Sequence, residues 1–214
     1  ARAALRALVD EVHGPIAPPP PPTALRTHLL HRAVVARWHG AMLETWRVAW
    51  GEQLGDAFTL MLMRPAVSGP CPTLVTGDAC WAYWLDGAVI TTAAIDGVAL
   101  AWFNRTELHA DPLPEDRAAI DALTAQPPLG MSALAAWAWA LHRAVDALEA
   151  MPTSVDRTRI GVAGHSRGGK AALLAAALDE RIALAAINNA GALGVASPTV
   201  NAPGIESVAA LVEH

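Results

Sequence analysis

Short apolar runs alternate with helical patterns from residue 58 onward, and this alternation constrains the fold more than any other feature of the sequence. The runs that resemble strands are 58–63, 72–77, 98–104, 159–164 and 182–188, and the helical patterns are 86–97, 133–150 and 167–178. Strands separated by helices usually pair in parallel, with helices covering both faces of the sheet. The sequence therefore predicts a three-layer α/β sandwich with a mostly parallel sheet, whose functional site lies at the carboxyl ends of the strands.

The first 55 residues have a different pattern, and we predict that they form a helical N-terminal extension ahead of a core at residues 56–214. Residues 1–13 have an amphipathic helical pattern, and the proline-rich tract at residues 14–22 excludes both helix and strand. We interpret this tract as a spacer, with a recognition motif for a partner as the alternative. The pattern from Leu25 to Trp50 also indicates helix, with an unusual density of tryptophan.

Composition excludes several classes of function. Of the 214 residues 53% are hydrophobic and 16% charged, so the chain is able to bury a large core. A net charge of −5 offers no basic surface for nucleic acid or an anionic membrane, and no apolar run reaches the length of a membrane span. The N-terminus does not read as a signal peptide, but we expect the chain to be a piece of a longer protein, which leaves its compartment open. The redox state of Cys71 and Cys80 and the oligomeric state are open as well.

The motif with the clearest chemistry is Gly-His-Ser-Arg-Gly at residues 164–168, which matches the G-x-S-x-G nucleophile elbow. An apolar strand pattern precedes it and an alanine-rich helical pattern follows it. The elbow holds a serine hydroxyl clear of the sheet in a strained turn, where a Cβ at either glycine would clash. Ser166 is therefore the predicted nucleophile. A phosphate-binding loop is the alternative, but the spacing fails because Lys170 is followed by alanine rather than serine or threonine.

An elbow of this kind also predicts where an oxyanion is stabilised. The N-terminus of the following helix points at the reacting carbonyl, and the backbone N–H of Arg167 is the expected first donor. The second donor is expected in the loop after the strand at 72–76, so that Gly77, Asp78 and Ala79 are the candidates.

Four segments together resemble the bacterial glucuronoyl esterases, carbohydrate esterase family 15 of the α/β-hydrolase superfamily. The segments are GHSRGGKAALLAAALDERIALAAINNAG at 164–191, WFNRTEL at 102–108, GDACW at 77–81 and LAAWAWALHRAVDAL at 134–148. The resemblance covers about residues 56–214. It implies an α/β-hydrolase fold, incomplete at the C-terminus, and cleavage of the ester between a glucuronic acid carboxyl of xylan and a lignin alcohol. It also implies a Ser-His-acid mechanism that uses no metal and no cofactor.

The resemblance assigns roles to individual residues. Ser166 matches the nucleophile, Arg167 matches an arginine that helps to stabilise the oxyanion, and Lys170 matches a lysine that binds the sugar hydroxyls. For Lys170 a solvated helix position is the alternative reading. Glu206 lies in a segment that resembles one near the sugar site, and a carboxylate at a helix N-terminus is an equal alternative. Trp81 is expected either in the core or at the wall of the pocket.

The sequence departs from the family at the remaining triad positions. Asn189 stands where fungal members have their acid, and His165 stands where they have a cysteine, so that their disulfide is absent. The family's base follows the nucleophile at a distance, and His214 is the one histidine after Ser166. We therefore expect this chain to lack both base and acid and to hydrolyse esters negligibly on its own.

The predicted function is a serine-dependent carboxylic ester hydrolase acting on plant cell-wall polysaccharide, most specifically a 4-O-methyl-glucuronoyl methylesterase. By resemblance the protein is expected to be secreted or periplasmic. One alternative is an acetylxylan esterase or dienelactone-hydrolase-like enzyme on the same fold. Another is a hydrolase-fold binding protein without catalysis, which the missing histidine and Asn189 favour.

Overall fold

The computed structural model describes residues 2–19, 24–51, 56–81, 85–113, 115–152, 155–192 and 194–195. Glu206 and His214 lie outside these ranges. The strands are β1 Arg26–Val35, β2 Ala41–Ala49, β3 Ala57–Arg64, β4 Cys71–Thr76, β5 Ala99–Phe103, β6 Val155–His165 and β7 Ile182–Asn188. The helices are α1 Arg2–His13, α2 Gly87–Ile95, α3 Arg117–Ala125, α4 Ala133–Ala150 and α5 Arg167–Leu178. Among the described helices, none is both long and apolar enough to cross a membrane.

The seven strands in the described ranges form one mixed sheet with the order β1-β2-β3-β5-β4-β6-β7. Strands β5, β4, β6 and β7 pair in parallel, while β1, β2 and β3 pair antiparallel and β3 joins β5 in the same way. The five strands predicted after residue 57 are confirmed, as are the helices predicted around 86–97, 133–150 and 167–178. Because β4, β5, β6 and β7 run in the same direction, their carboxyl ends meet at one edge of the sheet.

Two apolar cores lie on opposite faces of this sheet. The larger core packs α4 and α5 against β3, β4, β5 and β6, and the smaller one packs α2 against the other face. Helix α4 is buried almost all round, because its many alanines let α5 and the sheet approach it closely. The three layers of the sequence prediction are therefore present, and α4 supports the helix that begins directly after Ser166.

The prediction of helix from Leu25 to Trp50 is wrong. These residues form the hairpin β1-β2, which turns through a 3-10 helix at Ala36–Trp38 and through His39 and Gly40, both with positive φ. In β2 most buried residues alternate with partly exposed ones, which is the period of two expected for a strand. The tryptophan-rich sequence did not make this period recognisable. Strand β2 pairs along its whole length with β3, so residues 41–49 belong to the same sheet as the core beyond residue 56.

The described part of the N-terminal extension packs on the core. Residues 2–13 are helical as predicted, and residues 14–19 are neither helix nor strand. Ile16 is buried in the larger core, and the carbonyl of Pro18 accepts a hydrogen bond from Trp139 Nε1 at 3.4 Å. The first half of the proline-rich tract therefore lies against α4.

Candidate active site

Ser166 lies between the end of β6 and the start of α5 in a backbone conformation that side chains rarely adopt. Its φ is 53° and its ψ is −124°, and the residue is exposed at the carboxyl edge of the sheet. Its N–H donates to the carbonyl of Asn188 at the end of β7 (3.0 Å), and its carbonyl accepts from the N–H of Lys170 (3.1 Å). These bonds hold the strained turn in place. The geometry is that of the predicted nucleophile elbow.

The two glycines of the motif are required by close packing. A Cβ on Gly164 would overlap the carbonyl of Gly168 and lie 2.7 Å from the nitrogen of Gly169. A Cβ on Gly168 would lie 2.7 Å from Cγ of Asp78 and overlap its carboxylate. The steric reason given for the motif is therefore confirmed. The second contact also shows that Asp78 lies directly beneath the elbow.

The carboxylate of Asp78 supports the turn from below. It is fully buried, its Oδ2 accepts a hydrogen bond from the backbone N–H of His165 at 2.7 Å, and its Oδ1 forms an ion pair with Arg105. Burial raises the pKa of Asp78, and the charge of Arg105 and the N–H of His165 act against that rise. The carboxylate therefore depends on these partners to keep its charge.

The loop at Gly77, Asp78 and Ala79, the predicted source of the second oxyanion donor, is joined to its neighbours by backbone hydrogen bonds. The N–H of Asp78 donates to Oγ1 of Thr76 at 3.2 Å, and the N–H of Ala79 donates to the carbonyl of Phe103 at 3.2 Å. Gly77 contributes its carbonyl, which accepts from the N–H of Arg105. These bonds join the loop to β5 and to its own strand, and the oxyanion role of Gly77, Asp78 and Ala79 stays a prediction.

Arg105 and Asp111 were not among the predicted site residues, although they extend the contacts of Asp78 toward Arg167. The NH2 group of Arg105 lies 2.9 Å from Oδ2 of Asp111, and Oδ1 of Asp111 lies 2.6 Å from the NH1 group of Arg167. The Arg105 guanidinium also stacks on the ring of Trp137, 4.6 Å from its centre. The sequence signals for Arg105 were its position just after a buried strand and its place within the WFNRTEL segment that resembles the family.

A cavity of about 470 Å³ lies beside the elbow, within the usual size range of a small-molecule site. Arg167 and Lys170 of α5 form one side, and α3 and the residues around the start of α4 form the other. The wall residues are His109, Ala110, Asp111, Pro112, Ile120, Leu123, Thr124, Pro127, Ser132, Ala133, Leu134, Trp137, Arg167 and Lys170. The cavity thus combines a mostly apolar wall with the charged side chains of Asp111, Arg167 and Lys170, and Arg167 directly follows Ser166 in the chain.

The remaining predicted residues have different positions. Lys170, the one lysine of the chain, is 8% exposed and lines the cavity. The alternative prediction of a solvated helix position is therefore wrong. Trp81 is 39% exposed and is not a wall residue of this cavity. Asn189 follows β7 with a positive φ and is exposed. Cys71 and Cys80 are not joined in a disulfide, and burial raises the pKa of both thiols.

Comparisons with known proteins agree on one family. Residues 56–203 match a family model described as glucuronyl esterase, fungi. A 4-O-methyl-glucuronoyl methylesterase of Podospora anserina is 34% identical over 168 residues, which are 76% of this chain and 32% of that protein. The corresponding enzyme of Thermothelomyces thermophilus is 32% identical over 146 residues, 65% of this chain and 34% of that protein. The chain thus spans about a third or less of the length of the curated relatives it matches.

Solved structures show the same likeness. A glucuronoyl esterase from Solibacter usitatus superimposes with a TM-score of 0.68 at 25% identity, covering 91% of this chain and 59% of that one. A promiscuous CE15 esterase from a marine bacterial metagenome also gives a TM-score of 0.68, at 20% identity, covering 90% of this chain and 58% of the other. At that identity the second likeness bears on the fold alone.

Proposed function

The chain belongs to the glucuronoyl esterase family and has an α/β-hydrolase fold, and from this premise we propose that the protein hydrolyses carboxylic esters of glucuronic acid through Ser166. The observation that carries the proposal is the exposed hydroxyl-bearing residue held at positive φ between β6 and α5. Such a turn presents a nucleophile at a helix N-terminus, where developing negative charge is favoured.

The proposed reaction is acyl transfer to water. The Ser166 hydroxyl attacks the ester carbonyl and gives its proton to a base, which forms a tetrahedral intermediate. As the bond to the alcohol oxygen breaks, the base returns the proton to that oxygen, so that the alcohol leaves and an acyl-serine remains. Water then hydrolyses the acyl-serine. The N–H and guanidinium of Arg167 stabilise the oxyanion, and we assign the base and the acid to no described residue.

Lys170 is the proposed contact to the sugar. Lys170 lines the cavity and is 8% exposed, so its ammonium lies beside any ligand that fills the cavity. An ammonium has three N–H donors, which suit polar ligand groups. Oxygen atoms of a uronic acid provide such groups. Binding roles for Glu206 and Trp81 stay predictions.

The test compares two esters on the full-length protein. We expect cleavage of a methyl or benzyl ester of 4-O-methylglucuronic acid and no release of acetate from acetylated xylan. Ser166→Ala is expected to lower kcat/KM by at least about 10³-fold. The matched control is Ser68→Ala, an exposed serine before β4 at the opposite edge of the sheet, which should stay within about twofold of wild type.

Each contrary result supports a named alternative. Activity on acetate alone indicates an acetylxylan esterase. Polysaccharide binding without hydrolysis, equal in the wild type and in Ser166→Ala, indicates a binding protein. Lys170→Met should raise KM for the uronate ester about tenfold or more, and an unchanged KM would remove Lys170 from the binding site.

We further propose that the protein acts outside the cytoplasm, because a polysaccharide substrate does not cross a cell membrane. The test is to locate the full-length protein by fractionating cells that express it from its own gene. Recovery in the cytoplasm would contradict the proposal.

A further inference from the structure

Four charged side chains of alternating sign form a continuous row beneath and beside the elbow. Asp78 pairs with Arg105, Arg105 pairs with Asp111, and Asp111 pairs with Arg167. Two positive and two negative groups make the row neutral overall. The charge of each buried member is thus compensated by its neighbours, as burial requires.

Both ends of the row act on the residues that flank Ser166. At one end, the Asp78 carboxylate binds the N–H of His165, the residue before the serine. At the other end is Arg167, the residue after the serine. The row therefore joins the two flanks of the turn through side chains from the segments after β4 and β5 and from the start of α5.

The two middle members are more deeply buried than Arg167. Arg105 is 2% exposed and Asp111 is 7% exposed, whereas the side chain of Arg167 is 38% exposed. Arg105 is further held by the ring of Trp137, whose Nε1 donates to the carbonyl of His109 at 2.9 Å. Asp111 is thus a buried carboxylate that pairs with a long and partly exposed side chain.

We infer that Asp111 is a positioning residue that fixes the guanidinium of Arg167 for its role in stabilising the oxyanion, an inference that rests on the proposed function. Without this carboxylate, the long Arg167 side chain would distribute over several rotamers, and the donor would no longer be oriented before the reaction begins. Asp111 occupies the NH1 group, and the guanidinium has further N–H donors to offer the substrate. Asp111 acts through Arg167 and not on the reacting atoms.

A double-mutant cycle on the full-length protein tests this inference, with Asp111→Asn, Arg167→Met and the combination. Asparagine keeps the size of the side chain and removes its charge. We expect Asp111→Asn to lower kcat about 10- to 100-fold with little change in KM, the effect of losing a donor's orientation. In the Arg167→Met background the same substitution should cost less than about twofold. The matched control is Asp121→Asn, an exposed carboxylate on α3, expected within twofold of wild type.

A merely structural role predicts a different pattern. If Asp111→Asn lowers kcat by the same factor in both backgrounds, or leaves kcat unchanged, the inference is overturned. The cycle is measured on whichever ester the wild-type protein cleaves fastest. If the protein cleaves acetate esters and not uronate esters, the proposed function is wrong, but the cycle is still measurable on the acetate ester. If uronate esters are cleaved and Asp111 and Arg167 show no coupling, this inference alone is wrong.

Discussion

Gly164→Ala is the sharpest test of the elbow, because the structure gives no space for one methyl group at that position. The new Cβ would lie 2.7 Å from the nitrogen of Gly169 and would overlap the carbonyl of Gly168. Ordinary contacts between heavy atoms are about 3.5 Å or longer, so the first turn of α5 must retreat by about 1 Å. Because Ser166 and Arg167 lie in that turn, both move with it.

The displacement has two expected consequences. Overpacking a buried site costs about 1–3 kcal/mol of unfolding free energy. A shift of about 1 Å in the reacting group lowers kcat about 10²-fold. The assays are urea unfolding followed by circular dichroism and initial rates on the uronate ester, both on the full-length protein.

Gly87→Ala is the matched control for this substitution. A Cβ on Gly87, the first residue of α2, meets nothing within 4 Å, and alanine is the better helix former. We expect unchanged kcat and a free energy of unfolding equal to or slightly above that of wild type. If Gly164→Ala keeps kcat within threefold of wild type and unfolds at the same urea concentration, the reasoning on the elbow is refuted.

Three further predictions concern charged and titratable groups away from the elbow. Burial acts to raise the pKa of Glu44, but hydrogen bonds and charge from Arg64 outweigh burial, and the pKa lies below 4.5. The Glu44 carboxylate therefore stabilises the fold above pH 4.5. This contribution to stability is lost as the pH falls through the folded-state pKa. Glu44→Gln should cost about 1–3 kcal/mol at pH 7 and less at pH 3, and an equal cost at both pH values would contradict this. Burial lowers the pKa of His142, whose Nε2 donates to the carbonyl of Ala175 at 3.0 Å. The free energy of unfolding should therefore fall as the pH drops below 6.5. A comparison of urea midpoints at pH 5 and pH 7.5 should show a smaller fall for His142→Gln than for wild type. Arg181 pairs with Asp146 and Glu149 of α4 and with Asp179 after α5. Arg181→Gln should lower stability by about 1 kcal/mol in low salt and by less in 1 M salt, a difference that calorimetry measures.

The sequence predictions are more accurate after residue 57 than before residue 56, for a physical reason. From Phe58 onward the apolar runs are short and separated by helical patterns, so period and length distinguish strand from helix locally. Before residue 56, both strands of the hairpin β1-β2 are partly exposed. Buried and partly exposed residues alternate along β2, whereas β1 has no buried residue. Pairing with β3, which lies outside the hairpin, stabilises these residues as strands, and a local pattern does not report that pairing.

The prediction for the site divides in the same way. Ser166 was identifiable because an elbow is a local structure, in which two glycines and a serine between strand and helix leave few conformations open. Asp78 was also named, but for its backbone N–H, whereas the structure uses its carboxylate. No local pattern distinguishes these two uses of one residue.

The sequence by itself determined the alternation of strands and helices after residue 57, the strained serine turn and the family. These depend on residues close together in the chain, whose backbone preferences and apolar periods act locally. Only the tertiary structure decided the β1-β2 hairpin, the cavity beside Lys170, and the row that joins Asp78 to Arg167. That row joins three segments that are distant in sequence. They meet because the parallel strands β4, β5 and β6 end at one edge of the sheet, an arrangement that depends on the packing of the whole core.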